Sequence, residues 1–274
     1  MEDIQEHQQL PDLNQLSVLT STILLAYAVT PFIDTSSREV ILRLPGAAFS
    51  FQFSLSSILS LIAAALAAIG TDWLVRSHPR LQGQITFQHW LLPAFTAWVI
   101  GVPLNTLMPG PQWWAVFAFG SLLLVLVFTA EYIVVDLSDD RQVPATVGLT
   151  AVSFALYLVL AITVRAAGLR LYLLLPALVI PMALVCLRAL YLRLGGQWYI
   201  NWAVGIALII GQLAIGIHYM PLSPLVFGLI LLGPAYALTS VAGSIEEGRP
   251  WRTLWIEPAI MLAILWGLAF LFRN

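Results

Sequence analysis

Nine stretches of the chain are mostly apolar, about twenty residues long and nearly free of charge, and they leave little else. They run Leu13–Ile33, Leu55–Val75, Trp90–Leu107, Trp113–Val135, Ala145–Val164, Leu171–Leu192, Trp198–Met220, Leu222–Val241 and Leu254–Phe272. A helix of about 20 apolar residues matches the hydrocarbon thickness of a bilayer. Only helices and closed barrels satisfy their backbone groups there. The expectation is therefore an all-α integral membrane bundle of about nine transmembrane helices, forming a single domain over residues 1–274. The third stretch is short and holds Pro93, Pro103 and Asn105, so the count rests most heavily on it.

Composition agrees. Hydrophobic residues make up 60% of the 274, charged residues 9%, and mean hydropathy is +0.89. Soluble domains carry about 25% charged residues. The net charge of −2 removes the electrostatic basis for nucleic-acid binding. All twelve basic residues are arginine, so no mechanism that needs a lysine amine is open to the chain. Cys186 is the only cysteine, which excludes an internal disulfide, and it reads as a small packing residue. The polar tail 1–12 is acidic, unlike the basic start of a signal peptide, so the first span is expected to be retained.

Tryptophans mark the span edges: Trp73, Trp90, Trp113, Trp114, Trp198, Trp202, Trp251 and Trp255. Indole rings favour the headgroup layer. Most connections are too short to hold a catalytic domain. The connection Arg38–Ser54 differs. Val40, Leu42 and Leu44 alternate with other residues before Pro45-Gly46, and Phe49, Phe51 and Phe53 alternate after it. Period-two alternation about a Pro-Gly turn predicts a β-hairpin, placed on the extracytoplasmic side.

Arginines near the span ends set the orientation. Seven (Arg76, Arg80, Arg141, Arg188, Arg193, Arg249 and Arg252) share the side of the N-terminus, against five on the other. This bias predicts a cytoplasmic N-terminus. Twelve of the 14 acids fall on that same inner side, which with its seven arginines comes to −5.

The polar chemistry therefore concentrates in one inner-leaflet band. Asp72 and Arg76 end the second span, and Glu131 and Asp136 lie near the end of the fourth. Arg188 lies about a turn inside the sixth, and Glu257 near the start of the ninth. Charges at that depth are expected to face the bundle and pair, with Arg188 meeting Glu131, Asp136 or Glu257. Three roles fit such a band: an ion-pair network that fixes helix register, a proton-accessible or quinone headgroup site, and a substrate path.

Other chemistries find no support. The four histidines, His7, His78, His89 and His218, offer no matched pair for a haem. EYIVVDLSDDR invites comparison with membrane polyprenyl transferases, but a second aspartate-rich segment is missing. There is no Gly-rich phosphate loop, HExxH or Ser/His/Asp set, so no catalytic, cofactor or metal residues are assigned. Ala63, Ala64, Ala65, Ala67 and Ala68, and Gly205, Gly211 and Gly216, are small enough to let helices approach closely.

TDWLVRSHP, Thr71 to Pro79, follows an alanine-rich span and a Phe-alternating segment. In this it resembles an uncharacterised family of bacterial polytopic membrane proteins. It is also similar to small accessory membrane subunits of the quinol-oxidising alternative complex III. That resemblance implies membership of an electron-transfer complex in the bacterial cytoplasmic membrane, with no redox centre in this subunit. The resulting expectation is a non-catalytic accessory subunit that packs against other membrane subunits and phospholipids, with quinone nearby. The rival is a stand-alone transporter or lipid-processing protein that uses the inner polar band.

Overall fold

The computed structural model describes residues 11–32, 38–44, 47–53, 55–77, 86–136 and 140–272; of these, 38–44, 47–53, 251 and 252 are described by backbone alone. The polar tail up to residue 10, Asp34, Pro45-Gly46, Ser54, His78-Pro79, Arg80 and Arg273 lie outside the described residues. So does the central part of the acidic stretch after Asp136.

Nine helices account for most of the described chain: α1 Leu13–Ala28, α2 Leu55–Arg76, α3 Phe87–Thr106, α4 Pro111–Val134, α5 Gln142–Ala166, α6 Leu171–Arg193, α7 Ile200–His218, α8 Pro224–Glu246 and α9 Ile256–Leu271. A single helical turn, Trp251–Leu254, precedes α9. Seven of the nine are long and apolar enough to cross a membrane. The other two are α3 and α9. In α3, Gln88, His89, Asn105 and two prolines lower the hydropathy, and α9 has only 16 residues.

Between α1 and α2, β1 Arg38–Leu44 and β2 Ala47–Phe53 run antiparallel, with Val40 opposite Phe51 and Leu42 opposite Phe49.

Local signals explain the helix ends. The Asp12 carboxylate accepts from the Asn14 amide at 2.9 Å and caps α1. Proline opens α4 and α8, where its missing N–H and fixed φ suit the first turn. Gly248, at φ +69°, lets the chain turn out of α8.

The chain divides into two compact units, 1–142 and 143–274. In the first, α2 packs on α3, α3 on α4, and α1 against α2 and α4. Leu19, Ile23 and Tyr27 of α1 meet Ala63 and Ala67 of α2, Ala97 and Ile100 of α3, and Leu124 and Phe128 of α4. The alanine-rich stretch thus forms the seam through which α2 meets its neighbours. Gly101 completes that seam, because a Cβ there would collide with Ser60 Oγ and lie 3.1 Å from Tyr27 Cε1. Trp113 is buried, and its indole donates to the Leu104 carbonyl at 3.1 Å, satisfying one of the last acceptors of α3.

In the second unit α8 is central, in contact with α6, α7 and α9. From α5, Leu158 reaches Val226 and Leu229, and Phe154 meets Tyr236 edge-on at 5.3 Å. Arg165 donates to the His218 and Met220 carbonyls at 2.7 and 2.9 Å, tying the end of α5 to the end of α7.

Candidate functional site

Polar side chains gather at one end of the first unit, where α2 and α4 finish and α3 begins. The connection between α3 and α4 is four residues long, so the two helices run antiparallel as neighbours. Residues at similar distances on either side of that turn face one another. His89, in the first turn of α3, meets Glu131, in the last turn of α4, with Nδ1 to Oε2 at 2.8 Å. Both are buried, at 5% and 0% exposure. A buried carboxylate without a partner is costly, and the imidazole removes part of that cost.

Asp72, in the last turns of α2, organises the rest of this cluster. Its Oδ2 accepts from Arg76 Nε at 2.7 Å, within the same helix. Its Oδ1 accepts from the Thr86 hydroxyl and, at 3.2 Å, from the Trp90 indole. One carboxylate therefore joins the end of α2 to the start of α3. Thr86 also takes the His89 amide on its carbonyl at 2.9 Å, so Asp72 and His89 are positioned by the same first turn. Asp136 follows α4 and is buried, its amide donating to the Ile133 carbonyl at 3.2 Å.

The second unit has its own polar end. Arg193 closes α6 and grips Glu247 through two bonds, Nε to Oε1 at 2.5 Å and Nη2 to Oε2 at 3.1 Å. It also donates to the Ser244 hydroxyl at 2.9 Å and the Ser240 carbonyl at 3.2 Å. Arg249 Nε approaches Glu247 Oε2 at 2.6 Å. Hydrogen bonding to Arg193 holds the Glu247 carboxyl below the usual carboxylate range, despite some desolvation that opposes it. Glu257, at the start of α9, accepts from the Tyr236 hydroxyl at 2.8 Å. Arg188 is 1% exposed, with its guanidinium 5.5 Å from the centre of the Tyr191 ring. Cys186 is buried beside the Thr239 hydroxyl, Sγ to Oγ1 at 3.1 Å.

Of the six residues expected in the polar band, Asp72 and Arg76 pair directly, Glu131 takes His89, and Glu257 takes Tyr236. Sequence reading missed the His89–Glu131 contact because it weighed histidines only as haem ligands. The signal was the short α3–α4 connection, which puts those two positions opposite each other. Thr86 and Trp90 were missed because Trp90 was read only as a membrane-edge marker and Thr86 lies outside the apolar stretches. The Arg193–Glu247 clamp has a different signal. Cys186–Thr239 and Arg193–Glu247 are separated by 53 and 54 residues, the constant offset of two parallel neighbours, α6 and α8.

Among the described residues, no group of three or more His, Cys, Asp or Glu is placed to hold a metal ion. A family model described as a protein of unknown function, DUF5656, matches residues 35–272, and the chain belongs to that family. No curated protein and no solved structure matches it.

Proposed function

We propose that this DUF5656 protein is a non-catalytic accessory subunit that packs against other integral membrane subunits and phospholipids. Gln212 carries the reading. It lies well inside α7 and is exposed, and Leu208, Ile209 and Ile215 around it are exposed as well. Its side chain has no hydrogen-bond partner among the described residues. An amide left unpaired in hydrocarbon costs about 2 kcal/mol or more. Between helices in a membrane, a glutamine forms a cross-helix hydrogen bond instead. Gly205 and Gly216 lie on the same side of α7, and a Cβ at either would meet nothing. That face accepts a close-packed helix from another subunit.

The similarity to small accessory membrane subunits of alternative complex III makes a quinol-oxidising electron-transfer complex the proposed assembly. In this reading the protein resides in the bacterial cytoplasmic membrane with a cytoplasmic N-terminus, crosses nine times, and keeps the hairpin of β1 and β2 outside. Partner subunits bring the redox centres, and quinone is bound nearby rather than by this chain.

Mild solubilisation and native mass spectrometry test this. The parent chain is expected at fixed stoichiometry with haem-bearing membrane subunits, and Gln212→Leu is expected to reduce that association by about tenfold, the effect of one lost buried hydrogen bond. A parent chain that runs alone, or equal association of both chains, overturns the reading.

A second reading, a transporter or lipid-processing protein, is favoured by the His89–Glu131 contact, two polar side chains buried at the end of an otherwise apolar bundle. Solute flux in proteoliposomes that is lost in Glu131→Gln would establish it.

A further inference from the structure

We propose that the second unit holds a headgroup site for a phospholipid bearing a primary ammonium next to its phosphate, as in phosphatidylethanolamine. The inference rests on membrane residence and on no partner complex.

The site is a cavity of about 450 Å³ where the end of α8, the turn Trp251–Leu254 and the start of α9 meet. Ser244, Arg249, Thr253 and Glu257 supply its polar wall, and Ile260 and Met261 its apolar one. The two walls are ordered along the helix. Glu257 is in the first turn of α9, and Ile260 and Met261 come one turn further in. A headgroup at the polar end would lead its acyl chain along the apolar one, as a lipid lies in a leaflet.

The charges select the headgroup. Arg249 meets Glu247 through Nε, and its two terminal nitrogens have no partner among the described residues. A guanidinium with free terminal N–H groups suits a phosphate oxygen. Ser244 already accepts from Arg193, so its own hydroxyl hydrogen is available to donate. Thr253 spends its hydroxyl hydrogen on the Pro250 carbonyl at 3.0 Å and can only accept. Glu257 takes Tyr236 on Oε1, and Oε2 has no partner among the described residues. A carboxylate oxygen beside a phosphate site disfavours a purely anionic lipid by like-charge repulsion. It favours an ammonium that carries N–H donors over a quaternary one that has none.

The test uses the full-length chain in detergent, exposed to equal amounts of phosphatidylethanolamine, phosphatidylcholine and phosphatidylglycerol with identical acyl chains. Retained lipid is read by native mass spectrometry. The parent should keep one phosphatidylethanolamine about fivefold over phosphatidylcholine, the scale of one charge-assisted hydrogen bond at a half-exposed site. Glu257→Gln should bring that ratio to within about twofold, and Arg249→Gln should weaken retention of both. If Glu257→Gln does not fold, the parent is titrated with lipids methylated once, twice and three times at nitrogen. Affinity should then fall as N–H donors disappear. Equal retention of the two zwitterionic lipids, a preference for phosphatidylglycerol, an unchanged ratio in Glu257→Gln, or indifference to methylation overturns the proposal. None of these results bears on association through Gln212.

Discussion

His89 Nδ1 stands 2.8 Å from Glu131 Oε2, joining the first turn of α3 to the last turn of α4 where water has almost no access. Truncating either residue leaves the other buried with a lost partner. In a double-mutant cycle of His89→Ala and Glu131→Ala, read by thermal unfolding in detergent, the two should couple. The coupling should be about 1–3 kcal/mol, the scale of leaving a buried hydrogen-bonding group without its partner. Independent, additive losses would mean the contact has no energetic role.

The Arg193–Glu247 clamp should make stability depend on acid. The Glu247 carboxyl is held below its unfolded range by Arg193, so the folded state binds its proton less readily than the unfolded state does. Its stabilisation is fully present above the ordinary carboxylate range near 4.5 and is lost as pH falls through the lowered folded value. Glu247→Gln should flatten the unfolding profile in that acid window while changing little between pH 7 and 8. An unchanged acid limb in the variant would show that other carboxylates control it.

Gly101 and Gly148 should respond in opposite directions to alanine. A Cβ on Gly101 meets Ser60, which in turn accepts from Asn105 Nδ2 at 2.8 Å, so the α2–α3 seam must open. Gly101→Ala should lower stability by about 1–3 kcal/mol. A Cβ on Gly148 meets nothing, and Gly148→Ala should raise stability by about 0.5–1 kcal/mol through helix propensity. Matching shifts for the two variants, measured by detergent melting, would contradict the packing described.

The proposed nine crossings put residue 141 and the C-terminus on opposite faces of the membrane. Reporter fusions after residue 141 and after residue 273 should read cytoplasmic and extracytoplasmic respectively. Identical signals would remove one crossing after residue 141, and the 16-residue α9 would be the one to lose.

Much of the architecture was legible from the apolar runs, because a helix in lipid must be both long and uncharged. All nine described helices begin within three residues of the expected boundaries. The division into two units was not legible. It depends on which helix faces meet, and a span apolar on all sides carries little record of that. Leu61 and Ala63 of α2 are equally unremarkable in sequence, yet one is exposed and the other fully buried. The site was legible in composition and not in pairing. Asp72, Arg76, Glu131 and Glu257 stand out as charges near apolar runs. Thr86, Trp90 and Tyr236, which hold them, are residue types common at any membrane edge.

The 16 residues of α9 have a consequence for the bilayer itself. At about 1.5 Å per residue the helix is about 24 Å long, against a hydrocarbon core of about 30 Å. A helix this short cannot correct its mismatch by tilting, since tilt shortens its reach further. In the proposed nine-crossing arrangement the surrounding leaflets would draw inward to meet it, at a fraction of a kcal/mol per Å. Lipids beside α9 would therefore be compressed relative to those beside the 25-residue α5. The protein would impose a thickness gradient on its surroundings and favour thinner membranes.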